Sequence, residues 1–298
     1  MTTRRHPSDW LMFIGLVVFW GSSFALTKIS VETISPMWVM ALRLCVGAVI
    51  LFAMMRLEGQ SLPVDRISLL WFTGLGIIGS VLPFFLIGWG SLQIPSGLVG
   101  IMMALVPLVT ITLSHFMLDD ERMNRTKFLG FSVGFIGLII LVGPQFLADV
   151  RLTGTVFLAQ LAIMLAASSY ALHTIIARKS PQMSVLQKST GAIIAAAFVG
   201  LLVAITTDPF GIGIASIRSV AATLALGIFP TALAALALFQ LIDRTGTSFV
   251  PLSNYLIAPF AYFFGILTLG EAFEMRALLG LLIILLGIYL AERGKSAR

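Results

Sequence analysis

The sequence predicts an all-α integral membrane protein of ten transmembrane helices arranged as two inverted five-helix repeats. Three observations carry that prediction: an apolar composition, ten apolar runs of spanning length, and a pattern duplicated at a nearly constant offset. Of the 298 residues 58% are apolar and 11% charged, and the mean hydropathy of +1.03 describes a chain built for lipid rather than water.

A helix crossing the hydrocarbon core needs ~20 mostly apolar residues. Apolar runs broken by charge, Gly, Pro or Asn give spans near 10 to 29, 36 to 55, 67 to 90, 96 to 117 and 127 to 144. A second set follows at 153 to 176, 186 to 206, 219 to 241, 248 to 269 and 274 to 291. Lipid offers no hydrogen bonds to the backbone, so helices are the default, and the alternation of barrel strands is absent. The first span is too long and too polar for the apolar core of a cleaved signal peptide and is read as retained. The connections are too short to hold a soluble domain, so any function lies within the bundle. The single cysteine, Cys45, falls in the second span and reads as packing.

The stretch Trp20-Gly-Ser22-Ser23-Phe24-Ala-Leu26 shares Ser-Ser-aromatic-Ala-Leu with Ser168-Ser169-Tyr170-Ala-Leu172, at an offset of 146 residues. Glu121 through Leu129-Gly130 to Gly137 matches Glu271 through Leu279-Gly280 to Gly287 at 150. Pro36 matches Pro181, Leu75-Gly76-Ile77 matches Leu226-Gly227-Ile228, and Pro107 matches Pro259. The chain therefore divides into one repeat over 1 to 147 and a second over 148 to 298. Five spans per copy is an odd number, so the second copy crosses in the opposite sense. Inverted repeats place a substrate site near the midplane between the halves, and rocking one half against the other opens it to each side in turn.

With a cytoplasmic N-terminus, thirteen Lys and Arg residues fall inside and only Lys28, Arg151, Arg218 and Arg276 outside, with Lys188 at the inner border. That asymmetry puts both termini in the cytoplasm and the protein in the inner, or plasma, membrane. It also accounts for the net charge of +6 without a nucleic-acid partner. The expected partners are the bilayer and a small-molecule substrate.

Polar residues at depth are the candidate site. Ser22 lies about 18 Å along the first helix from Trp10, near mid-membrane. Hydroxyls there either bond back to their own helix or line a polar surface with Trp20, Ser23 and Phe24. Ser169, Tyr170 and His173 sit similarly in the sixth span, and Asn254 and Tyr255 offer an amide and a phenol in the ninth. Arg43 lies roughly 10 Å inside the second helix, where a cation costs ~2.5–3.5 kcal/mol. It either holds a substrate carboxylate, faces a watery vestibule, or snorkels to helix-end carbonyls. Lys188 occupies the matching place in the seventh span and is expected to reach the rim. Pro83, Pro107, Pro230, Pro251 and Pro259 fall inside the third, fourth, eighth and ninth spans and are the candidate hinges, with Gly76, Gly79, Gly100 and Gly227 adding local freedom.

Trp20-Gly-Ser-Ser-Phe24, the Ser35-Pro36 to Arg43 spacing and Leu269-Gly270-Glu271 to Gly280 together resemble the drug/metabolite transporter superfamily, EamA branch. Among its members the chain is most similar to the ten-helix exporters of aromatic amino acids typified by YddG. The resemblance implies a cavity lined by helices one to four and six to nine, with the fifth and tenth peripheral. Gly130, Gly134 and Gly137 on the fifth and Gly280 and Gly287 on the tenth permit close helix contact, as internal packing or as a dimer seam. Packing leaves the protein a monomer. The small multidrug members carry a glutamate in the first helix; here no Asp or Glu falls within a span, which argues against exchange of protons for cations. The chain has no GxSxG, no HExxH and no embedded acid pair, so neither enzyme activity, a metal nor a cofactor is expected.

Overall fold

The computed structural model describes residues 6–94, 99, 102–103, 105–118, 123–143, 150, 153–257, 259–260 and 275–293; the side chains of Phe24, Ala25, Lys28, Ser91, Val142, Ala277 and Glu292 are not among them. The described residues are helical with no strand among them. The helices are α1 (Pro7–Ser30), α2 (Pro36–Leu57), α3 (Arg66–Gly76), α4 (Leu82–Ser91), α5 (Val106–Met117), α6 (Arg125–Val142), α7 (Gly154–Lys179), α8 (Val185–Thr207), α9 (Ile217–Leu226), α10 (Ala234–Thr245) and α11 (Met275–Arg293). A π-helical turn, Ile77–Val81, joins α3 to α4, and a second, Gly227–Leu233, joins α9 to α10. Among the described residues five continuous units are long and apolar enough to cross a membrane: Pro36–Leu57, Arg66–Gly90, Gly154–Lys179, Val185–Thr207 and Ile217–Thr245. Shorter apolar helices occupy Val106–Met117 and Leu278–Ala291.

The helix starts are written in the sequence. Ser35 caps α2 ahead of Pro36, whose missing N–H costs nothing in a first turn. Ser184 and Gln187 form a reciprocal capping box on α8, and Asp65 and Ser216 cap α3 and α9.

Packing runs mainly between the first and second halves of the chain. α2 lies along α8, α4 along α7, α5 along α7, and α1 along α9 and α10. The largest core cluster includes Phe13 stacked on Phe249 with centroids 4.7 Å apart, beside Phe131, Phe239 and Tyr255. α6 and α11 form a pair of their own through glycines. A Cβ at Gly137 would sit 2.7 Å from the Ile284 backbone nitrogen, and one at Gly280 would sit 2.6 Å from Leu141. Both glycine faces are thus spent on internal contact.

Polar ties cross between the halves at both ends of the bundle. At the end carrying the start of α1, Ser184 Oγ donates to Gln60 Oε1 (2.5 Å) and Gln187 Nε2 to the Ser61 carbonyl (2.8 Å). Arg244 reaches Asp9 there at 3.4 Å. At the other end Ser35 Oγ donates to Asp208, Trp38 Nε1 to the Asp208 carbonyl (2.6 Å), and Ser219 Oγ to the Ile29 carbonyl (2.8 Å).

Two expectations are corrected. Lys188, near the start of α8, is buried and pairs with Asp243 at 3.1 Å rather than extending alone toward headgroups, because a carboxylate one helix away is the better partner. Gly76, Gly79 and Gly227 mark close contacts rather than loose backbone. A Cβ at Gly76 would lie 2.5 Å from the Ala192 carbonyl, and one at Gly227 2.5 Å from Val46. Gly100 lies outside the described residues.

Candidate functional site

The two π turns organise the polar interior. Each adjoins a proline, and each leaves a carbonyl that the proline has no N–H to meet. In the second turn, beside Pro230, the Thr231 hydroxyl donates to the Leu226 carbonyl at 2.8 Å. In the first, the Ile78 carbonyl lies five residues before Pro83, the π-register donor that Pro83 cannot be. Ser169 of α7 supplies the bond instead, its Oγ donating at 2.6 Å across the helix interface.

His173, one turn after Ser169, lies on the same face of α7. It is buried against the first π turn: a Cβ at Gly79 would sit 2.6 Å from its Nε2, so only glycine admits the ring. The imidazole also meets Phe239 edge-on at 5.7 Å. Neither ring nitrogen has a hydrogen-bond partner among the described residues.

Arg43 is 8% exposed. Its Nε donates to Thr231 Oγ1 at 3.1 Å, and its guanidinium lies 4.1 Å from the centre of the Phe84 ring. α2 thereby holds the second π turn while resting on the helix that leaves the first. The two terminal nitrogens have no hydrogen-bond partner among the described residues, and neither is fully enclosed. Tyr170 stands close enough to interact electrostatically with Arg43. It is half-buried and packs against the apolar cluster that holds Met103, Val106, Ile163 and Ala167. Arg43, Tyr170 and His173 thus surround the Gly79 to Phe84 stretch with unspent polar atoms on an otherwise apolar lining.

The other residues singled out in the sequence are placed differently. Ser22 and Ser23 bond back to the Phe19 and Trp20 carbonyls at 3.0 and 2.6 Å, and Trp20 packs half-buried on the main core. The Phe24 side chain lies outside the described residues. Asn254 Nδ2 donates to the Pro251 carbonyl (3.0 Å). Tyr255 is wholly buried, its hydroxyl donating to the Phe131 carbonyl at 2.8 Å beside Gly134. Pro83, Pro107 and Pro251 each stand in the first turn of a helical element, Pro230 lies within the second π turn, and Pro259 is helical and buried. Sequence reasoning missed Phe84 and Thr231. Thr231 could have been found as the hydroxyl directly after an intramembrane proline.

Two stretches of the chain, 9–143 and 157–292, match the model of the EamA-like transporter family. The chain belongs to that family. It is 23% identical to the uncharacterized transporter YoaV of Bacillus subtilis, over 94% of this chain and 95% of that one. It is 24% identical to a probable terminal-alkyne amino-acid exporter of Streptantibioticus cattleyicolor, over 95% and 92% of the two chains. It is also 24% identical to the S-adenosylmethionine/S-adenosylhomocysteine transporter of Chlamydia trachomatis, over 93% and 86%. A crystal structure with 20% identity superposes with a TM-score of 0.79 over 95% of this chain and 98% of that one, which shows the shared fold. The protein is therefore a membrane transporter, and the family and relatives are transporters rather than enzymes.

Proposed function

We propose that the protein exports small amphiphilic metabolites from the cytoplasm across the inner membrane, neutral and aromatic amino acids first among them, by alternating access between two inverted repeats. The observation that carries this reading is the cluster of Arg43, Tyr170 and His173, buried or half-buried polar groups with unspent hydrogen-bonding capacity, contributed by helices from both halves. Buried polar groups ordinarily find partners, so a site that leaves several open is built for a ligand. Packing between halves at α2 with α8 and α4 with α7, and a π turn in each half at the matching place, support the duplicated architecture. The internal α6–α11 glycine contact supports a monomer.

The names of two relatives, an amino-acid exporter and an S-adenosylmethionine transporter, support a metabolite of this chemical kind. The described carboxylates stand at helix ends or in connections, with Asp243 and Asp9 near the ends of their helices and engaged with Lys188 and Arg244, so transport runs downhill without an exchanging proton. A ligand shifts the inward and outward populations by its differential affinity for them, which is enough for facilitated export. Trp20, Ser22, Ser23 and Phe24 complete the proposed substrate surface and the five prolines the hinges, while Asn254 and Tyr255, whose donors go to backbone carbonyls, support that surface from behind.

Proteoliposome uptake of labelled Phe, Trp, Met, Leu and Thr tests the reading, and saturable flux of the larger apolar members is the expected result. Flux of a nucleotide sugar or a drug cation with none of these amino acids would move the protein to another substrate class.

A further inference from the structure

Arg43 is a permanently charged guanidinium, nine-tenths buried, whose only described hydrogen bond is to a neutral hydroxyl. Buried charges are normally paired. Among the described residues Lys188 obeys this, with Asp243 at 3.1 Å. The described carboxylates, Asp9, Glu32, Glu58, Asp65, Asp208 and Asp243, all stand at helix ends or in connections, and none forms an ion pair with Arg43. The geometry around the guanidinium is that of a held receptor. Nε is fixed by Thr231 and the face by Phe84, which leaves the two terminal nitrogens to act together. These are the pair that grips a carboxylate with two parallel hydrogen bonds. The neighbouring surface is apolar: the Phe84 ring lies under the guanidinium and Val81 packs in the adjoining core.

We infer that Arg43, held by Thr231 and Phe84, forms an anion subsite whose preferred ligand carries net negative charge, an apolar or aryl monocarboxylate such as an amine-blocked amino acid, ahead of the zwitterion. The inference rests on the transporter reading and sharpens its substrate class. A carboxylate neutralises Arg43, whereas a free ammonium on the same ligand brings a second cation into a site with no acid to receive it. Charge also supplies a driving force. An anion leaving a cell that is negative inside moves with the field, so export needs no coupled ion.

The test uses the wild-type protein in proteoliposomes and three probes of one shape: N-acetyl-phenylalanine (anion), phenylalanine (zwitterion) and phenylalaninamide (cation). Flux should rank anion above zwitterion, with the cation not carried. The accumulation ratio of N-acetyl-phenylalanine should change about tenfold for ~59 mV of imposed potential, the response of one moving charge. Arg43→Gln should lower that flux at least about tenfold, the scale of one lost charge-assisted hydrogen bond, while Arg43→Lys retains part of it. Arg56→Gln, at an exposed helix end, should leave it unchanged. Phenylalanine carried as fast as N-acetyl-phenylalanine, with no response to potential, overturns the anion subsite and leaves the exporter reading intact. Flux of none of the three overturns the exporter reading itself. Because charge ranking and potential dependence are read on the wild type, a poorly folding Arg43 variant does not spoil the test.

Discussion

Arg43 and Lys188 stand seven residues after Pro36 and Pro181, in corresponding places of the two duplicated segments, and both are buried. Both reach toward the same long unit, Ile217–Thr245, Arg43 to Thr231 near its middle and Lys188 to Asp243 near its end. One cation meets a carboxylate, and the other, among the described residues, meets a hydroxyl and an aromatic ring. The difference teaches that duplication preserved where charge enters the bundle but not what answers it. A paired cation is structure. A cation answered by a neutral hydroxyl is a standing electrostatic demand that a ligand can meet.

The contrast should be plainest in stability. Asp243→Leu leaves Lys188 buried without its counter-ion. It should cost about 2 kcal/mol, below the ~3–5 kcal/mol of a fully sealed pair because Asp243 is 35% exposed. Adding Lys188→Met should recover most of that loss. Arg43→Met removes a desolvated cation together with one hydrogen bond and one ring contact, so stability should change by less than ~1 kcal/mol while anion flux falls. Thermal unfolding of the purified variants measures each value. Equal destabilisation by Asp243→Leu and Arg43→Met would show that Arg43 is as structural as Lys188.

The repeated Ser-Ser segments carry the comparison to neutral groups. Ser23 bonds its own helix, whereas Ser169, at the matching place, spans to the Ile78 carbonyl of the first π turn. Ser169→Ala strands that carbonyl and should cost ~1–3 kcal/mol. Ser23→Ala removes only a back-bond to a carbonyl and should stay within ~0.5 kcal/mol. The same unfolding measurement decides, and a Ser23→Ala loss as large as that of Ser169→Ala would mean that the first copy is held in a way its hydrogen bonds do not reveal.

These pairs show what the sequence could and could not disclose. Apolar runs set the helix ends well, because lipid forbids open backbone and the capping residues Ser35, Asp65, Ser184 and Ser216 announce each start. The placement of Arg43 well inside α2 was legible from residue count, and the structure shows it buried there. The π turns were not: a shift from four-residue to five-residue hydrogen bonding leaves no periodic trace in an apolar run, only prolines at 83 and 230. Lys188 was misjudged because Asp243 lies 55 residues away, and no local pattern brings the two together. Asn254 and Tyr255 drew attention by chemistry alone, which cannot tell that both spend their donors on backbone carbonyls.

The smallest effect concerns the caps that begin the two long units. Asp65 opens α3 and Ser216 opens α9, again a charged residue in one copy and a neutral one in the other. Asp65 accepts from the Ser68 hydroxyl (2.6 Å), the Ser68 amide (3.0 Å) and the Ile67 amide (3.1 Å), while Ser216 accepts from the Ser219 amide at 3.1 Å. The Ser68 hydrogen bonds, the hydroxyl first, hold the Asp65 carboxyl below the usual carboxylate range. A depressed folded-state pKa contributes stability that is complete above the unfolded value and is lost as pH falls through the folded one. The first turn of α3 should therefore loosen as pH falls below the ordinary Asp value of ~3.9, whereas the first turn of α9 has no cap that titrates there. Hydrogen exchange at the Ile67 and Ser68 amides, followed against Ser219 and corrected for intrinsic rates, measures this. Asp65→Asn keeps an accepting oxygen without the charge and should flatten the response. Equal loosening of both turns on acidification would place the pH sensitivity outside the caps, and a sensitive α9 beside a silent α3 would reverse the comparison.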